Sequence, residues 1–289
     1  MNDDIKTDST PAETGCVVLA GRIYEVIRNW APLPDSIPPA RISTIAVDSA
    51  GRLYVLRRGG NPPVVVFSPT GEYLASFGDG LVFDAHGISI DAADRVFVVD
   101  RDAHQVICFS PQRDILFTLG DRHQPHWGAP FNHPTDVAVA PDGEMYVADG
   151  YGNGRVHTFT SAGVHRFSFG SIGHGAGEFM TPHALLIDGQ DRVVVVDREN
   201  NRVQLFDRNG GWLGQYDGLC RPMDLLERED GVLLVTDIVP SVSAYATDGV
   251  RLGRSRPSLN GAHGITGDRA GNIYLAEIDP NAITRLRPS

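Results

Sequence analysis

Short runs of apolar and β-branched residues alternate along the chain with turns rich in Gly, Asp and Asn, and no stretch carries a helical period. Five segments align with one another: 85–110 (AHGISIDAADRVFVVDRDAHQVICFS), 134–160, 182–207, 222–247 and 262–287, with a weaker sixth copy at 41–68. Each opens on a short apolar strand and turns at residues such as Asp142-Gly143 or Ala270-Gly271-Asn272. A β-branched strand ending near an acidic residue follows, then a third strand such as RVHTF or RVQLF. The pieces between copies, GEYLASFG, RDILFTLG and GVHRFSFG among them, supply a fourth strand. Four strands repeated about every 40–50 residues describe a propeller blade. The pattern therefore predicts an all-β, six-bladed β-propeller over residues 15–289. It makes residues 1–14 a disordered tail, and gives the stretch 16–30 to the outer strand that closes the ring with the last blade.

A chain of 289 residues suits one such ring. The formal net charge of -11, with no basic run, excludes a nucleic-acid partner, because a phosphate backbone would be repelled. The acidic start, MNDDIKTDSTPAETG, lacks the basic, then apolar order of a secretion signal. No run approaches the about 18 apolar residues of a membrane span. A cytoplasmic protein without a membrane partner is the expectation. Cys16, Cys108 and Cys220 are far apart and odd in number, so they predict neither a disulfide framework nor a thiolate metal site. They are expected to be small buried hydrophobes. Nothing in the sequence specifies an oligomeric state.

The innermost strand of each blade lines the central channel, so equivalent positions ring the axis. Through the six copies one such position reads Ser43, His86, Thr135, His183, Met223 and His263. Histidine occupies every second blade. Alternate blades are related by about 120°, so the three imidazoles converge as a three-fold set with room for a further ligand, as in catalytic zinc sites. Zinc suits imidazole best, although another divalent transition metal could take the place. The other seven of the ten histidines, including His104, His133 and His174, follow no such rule and are expected to be ordinary surface or loop residues.

A second ring follows at the turn after the next strand: Arg57-Arg58, Asp100-Arg101, Asp149-Gly150-Tyr151, Asp197-Arg198, Asp237-Ile238 and Glu277-Ile278. Arg58, Arg101, Tyr151 and Arg198 gather in one half of it. Arginine forks bind carboxylates, which points to a small anionic substrate. Neighbouring positive charge favours the Tyr151 phenolate, a plausible general base. Met223 is expected to line the substrate pocket with the arginines.

At these residues the chain resembles the peptidyl-α-hydroxyglycine α-amidating lyases, a six-bladed NHL-repeat propeller family with a zinc site. The likeness is densest over FNHPTDVAVAPDGEMYVADGYGNGRV (131–156) and GEFMTPHALLIDGQDRVVVVDRENNRVQLF (177–206), and extends more loosely from about Tyr24 to the C-terminus. It implies that His86, His183 and His263 are the zinc ligands. Arg58 in LRRGG, Tyr151 in ADGY and Arg198 in DREN match the family's catalytic arginines and tyrosine. The implied reaction splits a carbinolamide, R-CO-NH-CH(OH)-COO⁻, into an amide and glyoxylate. A hydrolase or hydratase acting on a small anionic ester, lactone or amide would use the same histidines. A non-enzymatic NHL-repeat scaffold would need none of them. The family also holds a structural calcium, bound by two carbonyls, at Ile45 and Ile88 here, and by an aspartate whose place is Gly264. Calcium is therefore doubtful, unless Asp136 or Asp224 substitutes. Arg101 stands where the family has an apolar residue.

Overall fold

The computed structural model describes residues 15–258, 260–278 and 281–289. The tail expected over residues 1–14 lies outside these. Six antiparallel sheets stand in a ring, each with its first strand innermost, and each inner strand packs against the next, the last against the first. Blade 2 is representative, running Ala85–Ile90, Val96–Asp100, Gln105–Phe109 and Ile115–Leu119 from axis to rim. Its burial fades outward. The second and third strands are buried throughout, whereas Ile115 and Leu116 of the outermost face solvent. Hydrophobic clusters fill the spaces between neighbouring blades, so that Tyr54, Leu56 and Phe77 of blade 1 pack on Val96, Val98 and Phe109 of blade 2. Each blade thus buries one face against each neighbour, and closing the ring removes the free edge faces. Among the described residues no helix is long and apolar enough to cross a membrane.

Both ends of the chain build blade 6. Ala262–Gly267, Ile273–Glu277 and Ala282–Pro288 are its inner strands, and Arg22–Ile27 pairs with the last of them. The segment expected to give one outer strand gives a hairpin instead. Gly15–Leu19 adds a fifth strand through a two-residue turn at Ala20 and Gly21, both at positive φ. That left-handed turn matches the twist of the paired strands.

The acids that end the second strands are buried anchors. Asp100, Asp149, Asp197 and Asp237 have no exposed surface. Each accepts backbone N–H groups from the loop entering its blade: Asp84, Asn132, Met180 and Cys220 respectively. Burying a carboxylate is tolerated when such donors satisfy it. In blade 1 Arg57 takes this place, fully buried, and donates to the carbonyls of Pro38 and Pro62. These anchors fix the loops of one face, the face that carries Arg58, Arg101, Tyr151 and Arg198. Of the cysteines only Cys108 is buried. Cys16 and Cys220 are exposed, because they sit on the outermost strand and an entry loop, and all three are free.

Candidate metal centre and active site

His86, His183 and His263 meet on the axis. Their rings lie with centroids 4.9, 5.3 and 5.0 Å apart, and one nitrogen from each falls within 4.8 Å of the others. A shift in ladder register at Ala85/Gly87, Pro182/Leu185 and Ala262/Gly264 marks where each inner strand bulges to present its histidine. The odd-numbered blades orient them. His86 Nδ1 is 2.7 Å from the Thr135 carbonyl, His183 Nδ1 2.7 Å from that of Met223, and His263 Nδ1 2.8 Å from that of Ser43. Each Nδ1–H therefore donates to a carbonyl, which leaves the Nε2 lone pair facing inward. Burial, then the neighbouring imidazoles, hold His86 and His183 well below the ordinary range; burial and Arg58 bring His263 to about 3. Three neutral imidazoles with aligned lone pairs fit a zinc ion. His183 Nε2, buried and without a hydrogen-bond partner in the structure, is the atom such an ion would satisfy.

Tyr151 stands over this set. Its hydroxyl is 3.1 Å from His86 Nε2 and 3.1 Å from Arg198 Nη1. The guanidinium carbons of Arg101 and Arg198 each lie 5.3 Å from its ring centre. The loop is held closely. A side chain at Gly150 would collide with the Pro182 carbonyl, and Asp149 accepts from Asn153 Nδ2 at 2.7 Å. His157, fully buried, sits 3.1 Å from the same carboxylate. It is not the ordinary surface or loop histidine expected, because the blade places it behind the Tyr151 turn. His104 is likewise buried, accepting the His133 backbone N–H. The 170–179 loop is bound to the Arg198 turn through Asn200, which reaches His174 and the Gly173 carbonyl.

The arginines divide their work differently from the sequence expectation. Arg198 bonds Tyr151, and its Nε is 2.9 Å from Glu199. Arg101 donates to Asp102 and lies 2.7 Å from Asp84 as an ion pair, so that its charge is shared between two carboxylates. Arg58 alone of the three keeps a buried Nη2 without a partner among the described residues. Met223 lies in the axial ring among the residues that line the channel, and its carbonyl orients His183.

That channel, about 220 Å³, is lined by the histidines and by Asp136 and Asp224. The calcium ligand set of the family does not fit here. A side chain at Gly264 would meet Thr44 Oγ1 at 2.6 Å. The two axial carboxylates instead accept inter-blade backbone N–H groups, Asp136 from Leu185 and Asp224 from Ile265. Burial raises both, Asp224 to about 7, and Asp224 adds to the rise at Asp136. A carboxyl whose folded value is raised stabilises most below its unfolded range near 4 and loses that contribution as pH climbs through 7. In metal-free protein the thermal midpoint of wild type should therefore fall relative to Asp224→Asn between about pH 4 and pH 7. A difference that does not change with pH would contradict this.

A six-bladed ring with three inward histidines and an arginine-flanked tyrosine defines a propeller enzyme site rather than a bare scaffold. Residues 131–159 match the NHL repeat model. A probable peptidyl-alpha-hydroxyglycine alpha-amidating lyase of Caenorhabditis elegans is 30% identical over 247 residues, 78% of this chain and 70% of that one. The peptidylglycine alpha-amidating monooxygenase of Rattus norvegicus is 34% identical over 203 residues, 58% of this chain but 21% of its own length. The chain belongs to the peptidyl-α-hydroxyglycine α-amidating lyase family. A gluconolactonase structure from Xanthomonas campestris superposes with a TM-score of 0.71 at 16% identity, covering 98% of this chain and 96% of that one, which is a likeness of fold alone.

Proposed function

We propose that the protein is a zinc-dependent carbon–nitrogen lyase that splits a small carboxylated carbinolamide, N-acyl or ureido, into an amide and a glyoxylate-like product. The observation that carries this reading is the Tyr151 hydroxyl, 3.1 Å from the inward nitrogen of His86 and 3.1 Å from Arg198. His86, His183 and His263 would hold the zinc. Bound there, it would serve as a Lewis acid that makes the substrate hydroxyl easier to deprotonate. Arg58, its side chain 24% exposed, binds the carboxylate. Tyr151, hydrogen-bonded to Arg198, acts as the general base that takes the hydroxyl proton. The oxygen lone pair forms the aldehyde C=O as the C–N bond breaks, and Tyr151 returns the proton to the departing nitrogen. No water is consumed.

The test is to incubate zinc-loaded protein with N-acetyl-α-hydroxyglycine and follow both products. Acetamide and glyoxylate in equal amounts are expected. Acetate in place of acetamide would replace this reading with a hydrolase. No turnover together with no metal uptake would leave a binding propeller.

A further inference from the structure

Asp84 was not among the residues the sequence singled out, yet it sits between two of them. It lies two residues before His86, on the loop entering blade 2, and its backbone N–H is pinned to Asp100 at 2.8 Å. Its carbonyl accepts the Arg101 N–H at 2.9 Å. The side chain is 13% exposed and faces Arg58 Nε at 3.3 Å and Arg101 Nη2 at 2.7 Å. Both contacts are ion pairs rather than hydrogen bonds; the Arg58 Nε–H is donated to the Ala85 carbonyl.

This arrangement decides how Arg58 presents itself. A guanidinium is a planar fork, so fixing its Nε edge fixes where the other nitrogens point. The Ala85 carbonyl accepts the Nε–H at 3.4 Å, and the Asp84 carboxylate, 3.3 Å from the same nitrogen, draws that charged edge toward itself. Nη2 is left buried and unpaired. The Arg58 charge is felt at all three histidines, which places the group beside the metal centre. Asp84 also separates two cations that would otherwise repel across the mouth, since Arg101 works against the Arg58 charge. Arg101, hydrogen-bonded to Asp102 and ion-paired with Asp84, serves as the counter-charge that keeps Asp84 in place.

We infer that Asp84 is a positioning residue that aims Arg58 at the substrate carboxylate, and that the Asp84–Arg101 pair, not Arg101 itself, sets the site's preference for carboxylate over a neutral group. The inference rests on the lyase reading for the identity of the substrate, and on geometry alone for the preference.

The experiment is calorimetric binding of two probes to zinc-loaded protein: N-acetylglycine, which carries the carboxylate, and N-acetylglycinamide, which does not. In Asp84→Asn the preference for N-acetylglycine should shrink about tenfold, or about 1.4 kcal/mol, while the amide binds within about twofold of wild type. In an Arg58→Lys background, where no fork remains to be aimed, adding Asp84→Asn should change the preference by less than about twofold. Asp84→Glu, which keeps the charge, should retain most of the preference, and it provides a reading independent of how well the asparagine variant folds. An unchanged preference in Asp84→Asn, or equal weakening of both probes, overturns the inference. Failure of the wild type to release glyoxylate overturns the lyase reading instead, and the probe ratio still decides the role of Asp84.

Discussion

Exchange of His183 for alanine is expected to strip the transition metal from the purified protein and to lower glyoxylate release by about a thousandfold or more. Catalytic zinc sites keep three protein ligands, and among the described residues no other His, Cys, Asp or Glu joins this cluster to replace the lost nitrogen. Thr135, Met223 and Ser43 face the histidines with backbone carbonyls already engaged by Nδ1–H groups. The fold should survive. His183 makes no ladder bond through its side chain, and its blade is held by the pairing of Pro182–Ile187 with Val193–Asp197. Elemental analysis beside circular dichroism reads both halves of the statement. A folded variant with about one metal per chain, as in the wild type, would remove the three histidines from the metal site.

Tyr151→Phe should do the opposite: keep the metal and lose the chemistry. A positioned proton-transfer group is worth roughly 10²–10⁴ in rate, and the fall should appear in kcat with KM nearly unchanged, because the ring and its two arginine neighbours stay. The hydroxyl is the only part removed. It meets His86 Nε2 and Arg198 Nη1 and no other group among the described residues. The side chain is 38% exposed, so the cost in stability is small. Steady-state kinetics with metal analysis on the same preparation test this. Wild-type turnover in the phenylalanine variant would assign the proton transfer elsewhere.

The ring and its histidines were legible because both depend on period. A strand of fixed length in a six-fold repeat puts equivalent residues on one circle, so Ser43, His86, Thr135, His183, Met223 and His263 could be set side by side without coordinates. What the period does not encode was missed. The roles of the arginines turn on which loop carboxylate lies within reach. Asp84 comes close to Arg101 because Asp100 fastens the loop entering blade 2 to the blade, whereas Asp102 is simply its neighbour in the chain. His157 looked like any strand histidine, since its partner Asp149 is eight residues away and its burial follows from packing between blades. The hairpin at Gly15–Leu19 was read as part of one strand because its turn, Ala20-Gly21, lacks the Asn or Asp that usually marks such a reversal.

Blade 6 has a consequence for the order of events during synthesis. Its fourth strand, Arg22–Ile27, is synthesised well before its partner, Ala282–Pro288. The blades between them can form as they emerge, but the nascent chain must carry the earlier strand unpaired until Ala282–Pro288 has emerged. The three inward imidazoles come from residues 86, 183 and 263, so they converge only when the ring shuts. A metal there would be taken up only after that closure, and a chain truncated before residue 263 would expose an open edge and lack the third histidine.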